Sequence, residues 1–249
     1  MMLNEETRKK LRELNLPEIL EAIDRQATDK QFLSMPFEER LQFMVDYLYQ
    51  EKNNSKIQRL VKQARFRLPR ADVNDIVYEG RGLDQHLITE LRTCQFLNIH
   101  TNIVCQGFTG SGKTFMACAF GKQACLFGSK VRYIRVPDLL IEMDEASLKI
   151  DGFSKLLRKY SRIPLLILDE WLLDECAKDE QHFLFELMER RYDCTSTLFC
   201  TQYTKKDWHQ RLGGGVHADA IMDRIVHNAV WIDTGPLNLR ELQLNKKWN

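Results

Sequence analysis

Between residues 102 and 201 the chain alternates short, mostly apolar runs with longer stretches whose apolar residues recur every three or four positions. The runs at 102–106, 131–135, 165–168 and 197–201 predict four strands buried on both faces, because apolar residues fall on both faces of each. Helical periodicity fills the intervals: about 84–97, 113 to about 127, Pro137 into the 140s, 151–160 and about 178–192. Strands that alternate with helices predict an α/β fold with a mostly parallel sheet covered on both sides.

The first 70 residues carry no strand pattern. Residues 5–30 predict helix, with Leu11, Leu14, Ile19, Leu20 and Ile23 as an apolar stripe and Pro17 as the start of a second helix. Residues 37–50 predict another, carrying Phe37, Leu41, Met44, Val45 and Leu48 on one side. Over 52–70 the pattern splits by charge. Ile57, Leu60, Val61, Ala64 and Leu68 span an arc of about 100°, and Lys52, Lys56, Arg59, Lys62 and Arg67 lie mostly opposite. With Arg65 and Arg70 added and no acidic residue among them, this segment reads either as a solvated surface helix or as a phosphate-backbone contact. The expected organisation is a small helical N-terminal domain over 1–75 and a larger α/β domain over 76–249.

Composition narrows this picture only a little. A chain of 249 residues with 44% hydrophobic content supports one sizeable core plus an appendage, and a net charge of +1 makes any polyanion surface a local one. The seven cysteines form no CxxC pair and sit mostly among apolar neighbours, as expected of buried thiols in a reducing compartment. The charged stretch from Met1 to Arg12 lacks a secretory apolar core, and nowhere do eighteen apolar residues run together. A cytoplasmic protein with no membrane partner is the expectation.

Candidate chemistry begins at Gly107-Phe108-Thr109-Gly110-Ser111-Gly112-Lys113-Thr114, a full match to G-x-x-x-x-G-K-[ST] between a predicted strand and a predicted helix. Glycines let backbone N–H groups surround phosphate oxygens, and the helix N-terminus favours the same anion. Lys113 is placed to reach the β and γ phosphates of ATP, and the Thr114 hydroxyl to ligate Mg²⁺. The strand Leu165-Leu166-Ile167-Leu168 then delivers Asp169 and Glu170 to its C-terminal end, where such sheets bind ligands. Asp169 is the expected Mg²⁺ partner and Glu170 the expected base toward the attacking water. The strand ending at Thr201-Gln202 offers polar groups to hold that water or to sense the γ-phosphate. Further on, Arg224 in Asp219-Ala220-Ile221-Met222-Asp223-Arg224 either pairs internally with Asp219 or Asp223, or reaches a triphosphate held by a neighbouring subunit.

With GFTGSGKT, FGSKVRYIRVPDLL, LLILDEW, CTQY, DAIMDRIVHN and TGPLNLRE in view, the chain resembles the IstB-like ATP-binding proteins, transposition helper ATPases of bacterial insertion sequences. These belong to the AAA+ superfamily of P-loop NTPases and are close to the DnaC and DnaI helicase loaders. The resemblance spans roughly residues 10–242 and implies an ATPase with Walker A at Gly107, Gly112, Lys113 and Thr114, and Walker B at Asp169 and Glu170. It implies sensor 1 at Thr201 or Gln202, an arginine finger at Arg224 and sensor 2 at Arg240. Such helpers are expected to self-assemble into a ring or spiral on duplex DNA, largely without sequence preference, and to recruit and stimulate the transposase of their own element. A helicase-loading adaptor is the alternative. Where the family commonly has Asp-Asp at the Walker B end, this chain has Asp169-Glu170. Further basic candidates for DNA are Arg132, Arg135, Lys155, Arg158, Lys159, Arg190 and Arg191, beside Lys56, Arg59, Lys62, Arg65 and Arg67.

Overall fold

The computed structural model describes residues 3–239 and 241, which fall into two compact units, Met1–Arg59 and Leu60–Asn249. In the first unit the helices are α1 (Glu5–Glu13), α2 (Pro17–Thr28), α3 (Lys30–Leu33) and the start of α4 (Phe37–Ala64). Asn4 caps α1 by accepting from Thr7 N, and α2 opens at Pro17, whose ring presets the helical φ. The run over 5–30 is therefore two helices. The buried Gln26 side chain ties α2 to α4, accepting from Arg40 Nε at 3.1 Å and donating to Arg40 O at 2.8 Å.

The two candidate helices at 37–50 and 52–70 are one, because nothing between Phe37 and Ala64 breaks it. It stops where Arg65 takes φ +56. The boundary between units lies at 59/60 rather than at 75/76. The physical reason is burial: Ala64, Phe66, Ala71, Val73 and Ile76 belong to the core on one face of the sheet, and Leu60 and Val61 pack against it.

The second unit continues with α5 (Gln85–Arg92), β1 (Asn102–Gln106), α6 (Lys113–Leu126), β2 (Val131–Arg135), α7 (Val136–Ser147), α8 (Gly152–Ser161) and β3 (Leu165–Asp169). It ends with α9 (Lys178–Arg191), β4 (Ser196–Thr201), α10 (Lys205–Arg211), α11 (Gly215–Val226) and β5 (Ala229–Asp233). The strand order is β2-β3-β4-β1-β5, and every neighbouring pair is parallel. Alternate residues of each strand enter opposite cores: Ile103, Leu165, Ile167 and Leu198 with α5 and α6 on one side, Val104, Leu166, Leu168 and Phe199 with α7, α8, α9 and α11 on the other. This two-sided burial is what the short apolar runs predict. The fifth strand and α10 were absent from the expected pattern; β5 carries the apolar run Ala229-Val230-Trp231-Ile232, and its first three residues are only partly buried because it is an edge strand, paired with β1 alone.

Gly121 sets the depth of α6. A Cβ there would lie 2.6 Å from Phe66 Cε1 and 2.7 Å from Ile167 Cδ1, so a side chain would force either these two residues or the helix itself to shift. The first turn of that helix carries Lys113 and Thr114, and β3 ends at Asp169.

Candidate nucleotide site

The loop from Gly107 to Gly112 joins β1 to α6. Gly112 holds φ +91, and a Cβ on it would come within 2.7 Å of Leu239 Cδ1, so only glycine turns the chain into the helix here. Lys113 Nζ donates to Gly107 O and Phe108 O, each at 2.7 Å, and so curls back over the loop. The loop borders a cavity of about 1430 Å³ whose wall includes Lys113, Thr114, Asp169, Glu170 and Gln202.

Across that cavity Asp169 is 2% exposed. Its Oδ2 accepts from Thr114 Oγ1 at 2.8 Å and from the Tyr133 hydroxyl at 2.6 Å, while Oδ1 accepts from Glu170 N at 3.0 Å. Burial first, then the adjacent Asp169 charge, pushes the Tyr133 phenol well above its ordinary pKa, so it acts as a donor. Glu170 leaves the strand with φ +60, in the left-handed region that non-glycine residues seldom occupy. Its Oε1 meets Arg67 Nη1 at 3.2 Å, and its Oε2 meets Arg135 Nη2 at 2.7 Å and Nε at 2.9 Å. Burial alone raises the Glu170 pKa. The hydrogen bonds and charges of Arg135 and Arg67 together outweigh that and hold it below the ordinary carboxylate value.

At the end of β4 the two expected sensor positions divide. Gln202 lines the cavity and its Oε1 accepts from Thr109 Oγ1 at 3.1 Å. Thr201 is 1% exposed, and its hydroxyl accepts from Tyr203 N at 3.1 Å, so it is committed to the turn. Its carbonyl accepts from Gly107 N at 3.2 Å, which ties the loop to β4.

A family model described as "IstB-like ATP binding protein" matches residues 9–246. The chain belongs to the IstB-like ATP-binding protein family. Among similar proteins of the AAA+ superfamily, the putative insertion sequence ATP-binding protein y4uH of Sinorhizobium fredii (strain NBRC 101917 / NGR234) is 30% identical over 242 residues, covering 97% of each chain. The putative insertion sequence ATP-binding protein y4pL of the same strain is 38% identical over 174 residues, 69% of this chain and 70% of that one. In fold, the crystal structure of DnaI aligns with a TM-score of 0.54 at 19% identity, covering 68% of this chain and 90% of that chain.

In this IstB-like chain the residues present fit a nucleotide and its metal. Among the described residues no group of three or more His, Cys, Asp or Glu could hold a metal ion. Asp169 and Thr114 instead present one carboxylate and one hydroxyl in contact, a donor set that leaves most of a Mg²⁺ shell to phosphate oxygens and water. No described helix is long and apolar enough to cross a membrane.

Arg224 stands apart from the cavity wall. It pairs with Glu189 on α9, donates from Nη1 to Ala220 O at 3.0 Å, and lies 5.3 Å from the Phe185 ring centroid. The aspartates considered as its partners pair elsewhere, Asp219 with His209 at 3.2 Å and Asp223 with His227 at 3.5 Å. Arg240 lies outside the described residues.

The basic candidates also separate. Arg191 is withdrawn as a DNA contact: it is 2% exposed, and its guanidinium donates to Thr197 Oγ1 and to the carbonyls of Tyr160, Ile163 and Ser196, which pin α9 to the sheet. Arg190 pairs with Glu186 at 3.5 Å and Lys159 with Glu142 at 2.8 Å, whereas Arg158 is exposed. Lys56 and Arg59 in the first unit, and Lys62 and Arg65 in the second, are exposed with no acidic partner among the described residues. Arg67 points to Glu170 instead. Arg81 and Tyr133 carried no local signal in the sequence, because their partners lie far along the chain: 153 residues for Arg81 to Thr234, and 36 for Tyr133 to Asp169.

Proposed function

We propose that this IstB-like protein is an ATP-hydrolysing helper of DNA transposition, which assembles on duplex DNA and engages the transposase of its insertion sequence. The observation that carries the reading is the convergence on one cavity of Lys113, Thr114, Asp169 and Glu170, in a chain whose curated relatives are insertion sequence ATP-binding proteins. Lys113 and the loop N–H groups bind the β and γ phosphates, replacing the Gly107 and Phe108 carbonyls as partners of the ammonium. Bound Mg²⁺ would supply charge neutralisation on the phosphate oxygens. Thr114 and Asp169 would hold it, and Tyr133 keeps Asp169 oriented.

Glu170 takes the proton from the attacking water as its oxygen bonds to the γ-phosphorus and the bond to the β-phosphate oxygen breaks, giving ADP and phosphate. For this the carboxylate must let go of at least one of Arg67 and Arg135. Gln202, bonded to Thr109, is placed to register the γ-phosphate. Arg224 does not line the cavity of its own chain and, in this reading, serves the cavity of a second copy.

The exposed Lys56, Arg59, Lys62 and Arg65 are the DNA contacts of this reading. Its test is affinity for a random-sequence duplex measured with an ATP analogue across a salt series. Contacts to about four phosphates give a slope of log K against log[salt] near −3 to −4. A flat salt response removes the electrostatic contact. Capturing the cognate transposase and a replicative helicase side by side separates helper from loader: exclusive retention of the helicase establishes the loader reading in its place.

A further inference from the structure

Behind the phosphate loop lies a buried cation that belongs to none of the motifs described above. Arg81 is 3% exposed. Its guanidinium donates to three backbone carbonyls from separate parts of the chain: Nε to Thr234 O at 3.1 Å, Nη1 to Val77 O at 3.1 Å and Nη2 to Ser111 O at 2.7 Å. Nη2 also lies 3.5 Å from Met116 Sδ. Among the described residues no carboxylate pairs with it. Burying an ion without a counter-ion is costly, and a fold that needed only packing here would be served by an apolar side chain.

The contact to Ser111 O has a directional consequence. In a trans peptide the C=O and the N–H point opposite ways, and the described residues contain no cis bond. Ser111 O belongs to the peptide unit that carries the Gly112 N–H. Arg81 draws the carbonyl toward itself, so the N–H is turned to the other side of the loop. Gly112, Lys113 and Arg81 itself all line the cavity. The Gly112 φ of +91 makes this peptide orientation available, and the adjacent cation polarises the unit so that its N–H end becomes a stronger donor.

We propose that Arg81 is a positioning residue of the phosphate site, fixing the Ser111–Gly112 peptide so that the Gly112 N–H meets a polyphosphate, and that its unneutralised charge adds to the potential holding that anion. This rests on the reading of residues 107–114 as the triphosphate site. The bound polyphosphate then acts as the counter-ion that the described residues do not provide.

The test uses the full chain with Arg81→Met, which keeps length and removes the charge, and Arg81→Lys, which keeps the charge but not the three-way grip. ATP and adenosine are each titrated against both. Loss of a charge-assisted donor predicts ATP affinity falling about tenfold to a hundredfold in Arg81→Met with adenosine affinity nearly unchanged, and partial recovery in Arg81→Lys. A merely structural role would weaken both ligands together. Equal weakening, or unaltered ATP affinity in whichever variant folds, overturns the assignment.

A measurement on the unsubstituted protein does not depend on either variant folding. Inorganic pyrophosphate added with Mg²⁺ should move the Gly112 amide proton downfield in the ¹H–¹⁵N spectrum, and a stationary Gly112 resonance while Lys113 and Thr114 amides move overturns the proposal alone. Lys113→Ala is the control for the underlying reading. ATP binding by that variant at wild-type strength, or no movement of any loop amide, counts against the triphosphate site itself.

Discussion

Glu170 sits where a base is needed, yet both of its oxygens are occupied by arginines. Its assignment as the proton acceptor predicts that Glu170→Gln retains ATP binding while phosphate release falls on the order of a hundredfold or more. A variant that hydrolyses at the wild-type rate removes the assignment. The same ion pairs make a prediction about pH. They hold the carboxyl below its ordinary pKa against the opposing effect of burial. A base works only when deprotonated, so the rate declines as pH falls through its pKa. Replacing Arg67 and Arg135 by Met removes the two groups that lower that pKa and leaves burial, which raises it. The acid limb of the pH–rate profile should therefore move to higher pH in the double variant. A limb that stays in place assigns it to some other group.

Among elements, α6 is the one whose placement decides the site, because it starts at Lys113 and packs through Gly121 on Phe66 and Ile167. Gly121→Ala places a methyl inside both contacts and should cost about 1–3 kcal/mol in urea unfolding, as overpacked cores do. ATP affinity should fall too, since the shift separates Thr114 from Asp169; full stability and full affinity together would show that the helix has room to spare. The inner strands and α6 were legible in sequence because their burial is local and two-sided. Other features were not, because their causes lie far along the chain. Strand β5 carries the apolar run Ala229-Val230-Trp231-Ile232, but the β1 strand it pairs with lies far upstream. Residues 60–75 read as part of the N-terminal domain, yet Ala64, Phe66, Ala71 and Val73 are core of the second unit, since the helix and strand they pack on come later. Arg191 looked like one of two basic residues ending a helix, and its acceptors on β4 and around Ile163 are what make it structural. Tyr133 and Arg81 bear on the site only through contacts that the fold creates.

At the scale of the whole molecule, the reading of Arg224 as a cation for a second copy decides where hydrolysis is completed. Lys113 serves the loop side, Arg81 holds the loop carbonyl of Ser111, Arg70 lies on the wall, Arg67 and Arg135 are engaged with Glu170, and Arg224 is held on α9 by Glu189, away from the cavity wall. Placing Arg224 at the cavity of a second copy makes turnover a property of the assembly. Arg224→Ala should then bind ATP normally and fail to hydrolyse it, as should Glu170→Gln. Each variant keeps the part the other lacks. In a mixture, interfaces form in which an intact Glu170 from one chain faces an intact Arg224 from the other, so phosphate release should reappear, rise with the proportion of the minority variant and fall again past equal amounts. Two variants defective in the same cavity cannot rescue one another at any ratio. A mixture that stays silent at every ratio, although both proteins still co-assemble, would return Arg224 to the role its contacts already give it, a helix-pinning partner of Glu189.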